Sequence, residues 1–291
     1  MDEVTQVLAS HNRLGEGPIW NSTEQALYWV DILDGTFWRY HPASDSHEIF
    51  YVGVPIGVMA FRAGGGLVMA TKQGFAIWDE EQRQLKVIAN PIADQEHMRF
   101  NDGAVDCAGR FWAGTVSMVD ELSPEGVLYR LDPDYSVHVM ETGICVSNGI
   151  GWSPDNTVMY FTDSPRRIIY AYDFDVVTGA IANRRIFARL EEGNAVPDGL
   201  AVDSAGYVWS ACWDGAKLIR YAPDGRIERA IAVPAQRPTS CVFGGEALDE
   251  LYITSAWNGL DEEALERYPL SGDLFRLKAP VKGLEKYAFA G

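Results

Sequence analysis

A glycine-led pattern recurs six times along this 291-residue chain, and it restricts the possible folds more than any other feature. The copies read "EGPIWNSTEQALYWVDI", "IGVMAFRAGGGLVMAT", "DGAVDCAGRFWAGTV", "NGIGWSPDNTVMYFTDS", "DGLAVDSAGYVWSACW" and "TSCVFGGEALDELYITSA". Each has a glycine, an alternating apolar stretch, a polar turn and a second apolar run. The opening glycines are Gly17, Gly57, Gly103, Gly149 and Gly199, with Ser240 standing in the sixth copy. Their spacing of about 40 to 50 residues is the length of a four-stranded propeller blade.

Apolar and aromatic residues alternate, or run for short stretches, between turn residues such as "SPDN", "DSAG" and "AGGG", which is the pattern of strands. The segments "TFWRYHP", "GFAIWDE", "GVLYRLDP", "IIYAYDF" and "KLIRYAP" supply further strands. The best helical segment is "DEEALERYP" from Asp261, read as a loop with one helical turn. Nothing resembles an interdomain linker. The chain therefore reads as all-β, a six-bladed β-propeller forming a single domain over residues 1–291 around a central channel.

Composition narrows the partners. A chain with 47% hydrophobic residues can bury a large core. A net charge of -17 without any cluster of Lys and Arg argues against nucleic acid, whose phosphates need such a cluster, and against an anionic membrane surface. The opening "MDEVTQVLASHNRL" lacks the basic start and apolar core of a secretion signal, and no run is long enough to span a bilayer, so a cytoplasmic location is expected. Cys107, Cys145, Cys212 and Cys241 are far apart and read as reduced, mostly buried side chains. The expected partner is a small molecule, with the protein a monomer or weak homo-oligomer.

In a propeller, equivalent positions of the innermost strands face one axis, so sequence phase becomes spatial convergence. The residues preceding the repeat position are Glu16, Ile56, Asp102, Asn148, Asp198 and Thr239, predicted to ring the channel at one level. Carboxylates crowded in a partly dehydrated channel are unfavourable unless a cation pairs with them. The candidate ligands Glu16, Asn148 and Asp198 form an oxygen-rich set that suits Ca²⁺, Mg²⁺, Mn²⁺ or Fe²⁺ better than structural Zn²⁺, although availability can override preference. Three protein ligands leave open positions, as catalytic sites do. Taken singly, Asp or Asn before Gly is a common turn; Glu16 between two glycines is not. The five histidines share no ligand spacing and read as loop or solvent-facing residues. Ser117 and Ser147 lack a nucleophile-elbow context, and "RAGGGL" at Arg62 reads as a hairpin. The nine tryptophans read mainly as packing between blades, with one or two able to stack on a sugar at the channel mouth.

The segments "GEGPIW", "RFNDGAVDCAGRFWAGT", "SNGIGWSPD", "YFTDS", "NRRIFARL", "PDGLAVDSAGYVWSACWDG", "TSCVFGG", "LYITSA" and "VKGLEKYAFAG" together resemble the senescence marker protein / gluconolactonase / regucalcin family over nearly the whole chain. The resemblance implies a six-bladed propeller with one divalent metal, hydrolysing sugar lactones such as glucono-, xylono- or arabinonolactone to aldonic acids. It puts metal ligands at Glu16, Asn148 and Asp198, the three residues selected by repeat phase, and substrate contacts at Arg99 and Asn101. An ungapped match places Val119, flanked by Met118 and Asp120, where animal members carry a glutamate.

Opening an aldonolactone requires an activated carbonyl, a delivered water and a held polar ring. A metal can act as Lewis acid on the carbonyl. Asp198 is the expected catalytic base, taking a proton from water and returning it to the ring oxygen. The planar fork of Arg99 and the amide of Asn101 match a vicinal diol. Two other functions share the fold: a metal-binding regulatory or scaffold propeller, and an esterase or organophosphate hydrolase.

Overall fold

Runs of apolar residues too short for helices, separated by tight turns, pair most readily with the next run along the chain. A computed structural model, describing residues 3–191 and 193–291, has six four-stranded antiparallel sheets, the blades of one propeller. Blade 1 comprises Gly15–Asn21, Ala26–Asp31, Thr36–His41 and Ser46–Tyr51, ordered from the axis outward. The innermost strands of blades 2 to 6 are Ile56–Phe61, Met98–Val105, Ser147–Trp152, Val196–Val202 and Arg237–Gly244. The ring closes because Thr5–Leu8, near the N-terminus, pairs with Leu274–Lys278 as the outer strand of blade 6.

The repeated glycines mark where neighbouring inner strands converge. A Cβ on Gly149 would stand 2.7 Å from the carbonyl oxygen of Asp198, and one on Gly199 would collide with the Ser240 side chain. At the same level all six inner strands shift register against their second strands, for example between Glu16 and Ile19, Asn148 and Ile150, and Pro197 and Leu200. A bulge bends a strand and re-aims its side chains. In blades 1, 3, 4 and 5 the residues at this level that reach the channel cavity are Glu16, Asn101, Asn148 and Asp198.

Packing lies between blades rather than within them. Trp209, Ala211 and Leu218 of blade 5 pack with Phe243, Ile253 and Phe275 of blade 6, and Phe75 of blade 2 meets Phe100 of blade 3 with ring centroids 4.7 Å apart. Trp209 is also anchored by a polar group, since its Nε1 donates to Asp203 at 2.9 Å. Asp203 is fully buried and accepts as well from Arg220 Nη2 at 2.8 Å and from the backbone N–H groups of Ala205 and Tyr207. Asp106 repeats the arrangement in blade 3 with Trp112 and Arg110. Asp203→Ala leaves the Trp209 indole N–H unpaired and a buried guanidinium with Glu228, at 3.3 Å, as its remaining carboxylate, so it should destabilise the fold by about 3–5 kcal/mol and lower Tm by roughly 10 °C. Differential scanning calorimetry tests this; a fall below about 2 °C would remove the network as a stabilising element.

The segment at Asp261 is a six-residue α-helix, Glu262–Arg267, and not a single helical turn; the Asp261 side chain accepts from Ala264 N at 2.8 Å as its N-cap. All four cysteines are free, with Cys107 half-buried and the others buried. No histidine is buried. The "RAGGGL" segment is a hairpin turn, with Arg62 N bonded to Gly66 O at 3.0 Å. Among the described residues, no helix is long and apolar enough to cross a membrane.

The C-terminal segment decides which end of the channel is open. Residues 282–291 run from the blade 5 and blade 6 turns at Ser204 and Leu248 to blades 2 and 3, where Phe289 bonds Phe61 and Ala63 and Ala290 bonds Gly109. Phe289 is fully buried. All these anchors lie where inner strands end and turn into second strands. The opposite face, where inner strands begin, carries the candidate site.

Candidate active site

Equal repeat phase brings Glu16, Asn148 and Asp198 to one cavity of about 260 Å³ on that face, together with Arg99, Asn101, Ser164 and Glu121. The three candidate ligands are nearly fully buried at 4–5% exposure, so their oxygens cannot rely on bulk water. Asn148 is fixed from two sides: its Oδ1 accepts from Asn101 Nδ2 at 3.0 Å and its Nδ2 donates to Ser164 Oγ at 2.8 Å. The amide oxygen is thereby turned toward the cavity lined by Glu16 and Asp198. Glu16 Oε2 accepts from the N–H of Gly17 at 2.7 Å, an interaction that the left-handed backbone at Gly17 (φ 50°) permits.

The electrostatics show what the cluster lacks. Burial, followed by repulsion from Asp102, pushes the Glu16 carboxyl up from 4.5 to about 8. Burial and the charges of Glu16 and Asp102 raise Asp198 well above the ordinary carboxylate range. Asp198 Oδ1 is buried without any hydrogen-bond partner. A buried orphan oxygen beside a second carboxylate and an inward amide oxygen is what a hard divalent cation satisfies, so the donor set fits one. The set consists of two carboxylates and an amide; among the described residues there is no metal-binding group of three or more His, Cys, Asp and Glu.

Arg99 and Asn101 stand beside the cluster as one unit. Arg99 Nη1 donates to Asn101 Oδ1 at 2.6 Å and to the Phe100 carbonyl at 3.0 Å, while Asn101 Nδ2 also donates to the Ser147 carbonyl at 2.8 Å. Burial draws the guanidinium down to about 10, and the charges of Glu121 and Glu16 oppose that fall. The remaining guanidinium nitrogens are directed by this anchoring without being consumed by it.

Two features depart from the sequence-based expectation. Asp102 does not line this cavity: the bulge between Phe100 and Gly103 brings Asn101 there, and Asp102 instead lines the space on the closed side with Lys286. Burial raises its carboxyl to about 6. Where the ungapped match offers Val119, the exposed loop after Ser117 instead brings Glu121 and Leu122 into the cavity wall. The tryptophan at the mouth is Trp213, at the end of the second strand of blade 5, whereas Trp112 and Trp209 are packing residues. Neither Glu121 nor Trp213 stands at the repeat phase, so periodicity cannot find them.

The fold and the site together define a six-bladed propeller whose channel ends in one cavity lined by two carboxylates, an amide and an arginine. Residues 14–257 match the SMP-30/gluconolactonase/LRE-like family, and the chain belongs to it. It is 38% identical to regucalcin of Gallus gallus over 287 residues, covering 96% of this chain and 95% of that protein. It is 39% identical to the 6-deoxy-6-sulfogluconolactonase of Pseudomonas putida over 280 residues, covering 96% and 95%. The crystal structure of regucalcin from Agrobacterium tumefaciens, described as a calcium-binding protein, superposes with a TM-score of 0.95 at 25% identity, covering 100% of this chain and 98% of that one.

Proposed function

We propose that the protein is a divalent-metal-dependent sugar lactonase that opens aldonolactones to aldonic acids. The observation that carries this reading is the orphaned Asp198 Oδ1 in a cavity it shares with Glu16, Asn148 and the Arg99–Asn101 pair. Family membership and the named lactonase relative support the same chemistry. Glu16, Asn148 and Asp198 would hold the cation. When bound, it would offset the crowded negative charge, keeping Glu16 and Asp198 ionised, and would act as a Lewis acid toward the lactone carbonyl.

Asp198 removes a proton from water as the water oxygen bonds to the carbonyl carbon. The bond from that carbon to the ring oxygen then breaks, and the proton passes from Asp198 to the departing oxygen. The products are a carboxylic acid and a free hydroxyl on one open chain, and the acid then releases its proton to solvent to leave the carboxylate. Arg99 and Asn101 orient the ring through its hydroxyls, with Glu121 as an acceptor at the mouth. Arg99→Lys replaces a planar fork by a point charge and should raise KM about tenfold while kcat stays within about threefold. Steady-state kinetics on gluconolactone checks this; an unchanged KM would remove Arg99 from substrate binding.

The calcium-binding description of the Agrobacterium tumefaciens relative favours a second reading, a propeller that binds the ion without turnover. A pH-stat assay on glucono-, xylono- and arabinonolactone, before and after chelator treatment, separates the two. Hydrolysis abolished by chelation and restored by Ca²⁺ or Mn²⁺ supports the lactonase; ion binding without hydrolysis supports the alternative.

A further inference from the structure

Side chains two residues apart on a strand face the same way, so each inner strand that brings a polar group to the cavity floor presents the residue two positions earlier nearer the mouth. For Glu16, Asn148 and Asp198 these residues are Leu14, Val146 and Val196. For Asn101 it is Arg99. The cavity thus has a polar floor and an upper layer that is apolar on blades 1, 4 and 5 and cationic on blade 3 alone.

Ring order sharpens the asymmetry. Blade 6 stands opposite blade 3, flanked by blades 5 and 1, so the wall far from Arg99 is formed by Leu14, Val196 and Trp213. A cation beside that wall, Arg237, lies with its Cζ 4.6 Å from the Trp213 ring centroid and is engaged elsewhere. Its Nε donates to Asp214 Oδ1 at 2.7 Å, its Nη2 to Asp214 Oδ2 at 3.3 Å, and its Nη1 to the Asn258 carbonyl. Apart from the indole N–H of Trp213, the side chains of this wall offer a substrate hydroxyl no hydrogen bond in exchange for the water it loses, which is unfavourable. A methyl group there would gain apolar contact.

We propose that the preferred substrates are lactones of 6-deoxy sugars, bound with their ring hydroxyls toward Arg99, Asn101 and Glu121 and their terminal methyl group on the Leu14–Val196–Trp213 wall. This inference rests on the lactonase reading and specifies its substrate class. The discriminating feature is the terminal C–H in place of C–OH; the chemistry at the carbonyl is unchanged.

The test compares matched pairs that differ by that one hydroxyl, using the full chain supplied with Mn²⁺ or Ca²⁺: L-rhamnono- against L-mannono-1,4-lactone, and L-fucono- against L-galactono-1,4-lactone. In each pair that is hydrolysed, kcat/KM for the 6-deoxy member should be higher by about tenfold or more, the range an apolar pocket achieves against an added hydroxyl. Val196→Thr, which puts a hydroxyl on the wall at nearly constant volume, should bring the ratio below about threefold, and Leu14→Thr serves as the second variant. A wild-type ratio below about threefold on lactones that do turn over overturns the proposal and leaves the lactonase reading standing. A tenfold ratio that neither variant changes overturns the assignment to this wall. Absence of turnover on every lactone removes the lactonase reading and this proposal with it.

Discussion

Asp198→Asn should fold as the native chain does and hydrolyse lactones about 100-fold more slowly or worse, the range over which a positioned general base acts. The amide keeps an oxygen for a cation but cannot accept the proton of the attacking water. It also removes a buried carboxylate that burial and the charges of Glu16 and Asp102 disfavour, so the melting temperature of chelator-treated protein should stay level or rise. That combination separates a missing base from a damaged fold. Near-normal turnover in the pH-stat, with the variant melting as the native chain does, would remove Asp198 as the base.

The second large effect is a dependence of stability on pH that a divalent cation should abolish. Glu16 is raised from 4.5 to about 8 and Asp102 from 3.8 to about 6 in the folded chain, both chiefly by burial. Between the unfolded and folded values the native state holds more protons than the unfolded chain, so stability is greatest below the unfolded pKa and falls as pH rises through this window. Asp31 and Asp163, also raised by burial, act in the same sense. Surface aspartates such as Asp155 and Asp175 are lowered by local hydrogen bonds and titrate beneath the window. Chelator-treated protein should therefore lose roughly 5–10 °C of Tm between pH 5 and pH 8. Ca²⁺ or Mn²⁺ in about hundredfold excess over Kd should restore several degrees at pH 8 and much less at pH 5, where protons compete for the same oxygens. A Tm that climbs with pH in the chelated protein, or that ignores the cation at pH 8, would contradict the crowded-carboxylate account of the site.

The outer strands show where reading by pattern stops. Ile181–Arg189, "IANRRIFAR", is mostly exposed, and its charged run gives no apolar alternation to detect. It is a strand because the strand Ile168–Phe174 supplies an edge for it. Thr5–Leu8 is a strand for a similar reason, and its partner lies about 270 residues away. At the site, Glu16, Asn148 and Asp198 were legible because one repeat phase governs all three. Asn101 broke that phase by one residue where the strand bulges, and only the family resemblance indicated it. Glu121 was hidden by loop length, since an ungapped match cannot anticipate how an exposed loop folds back over a cavity.

Sequence by itself determined the number of blades, the position of the axis within each repeat and the three oxygen-bearing side chains that share one cavity there, because strand periodicity and glycine spacing are local and the ring converts them directly into direction. Tertiary structure decided which end of the channel stays open, through the C-terminal segment anchored at Phe289, and which groups beyond the periodic strands complete the cavity. Those choices depend on loops and a chain end packing against distant blades, contacts that no repeat encodes.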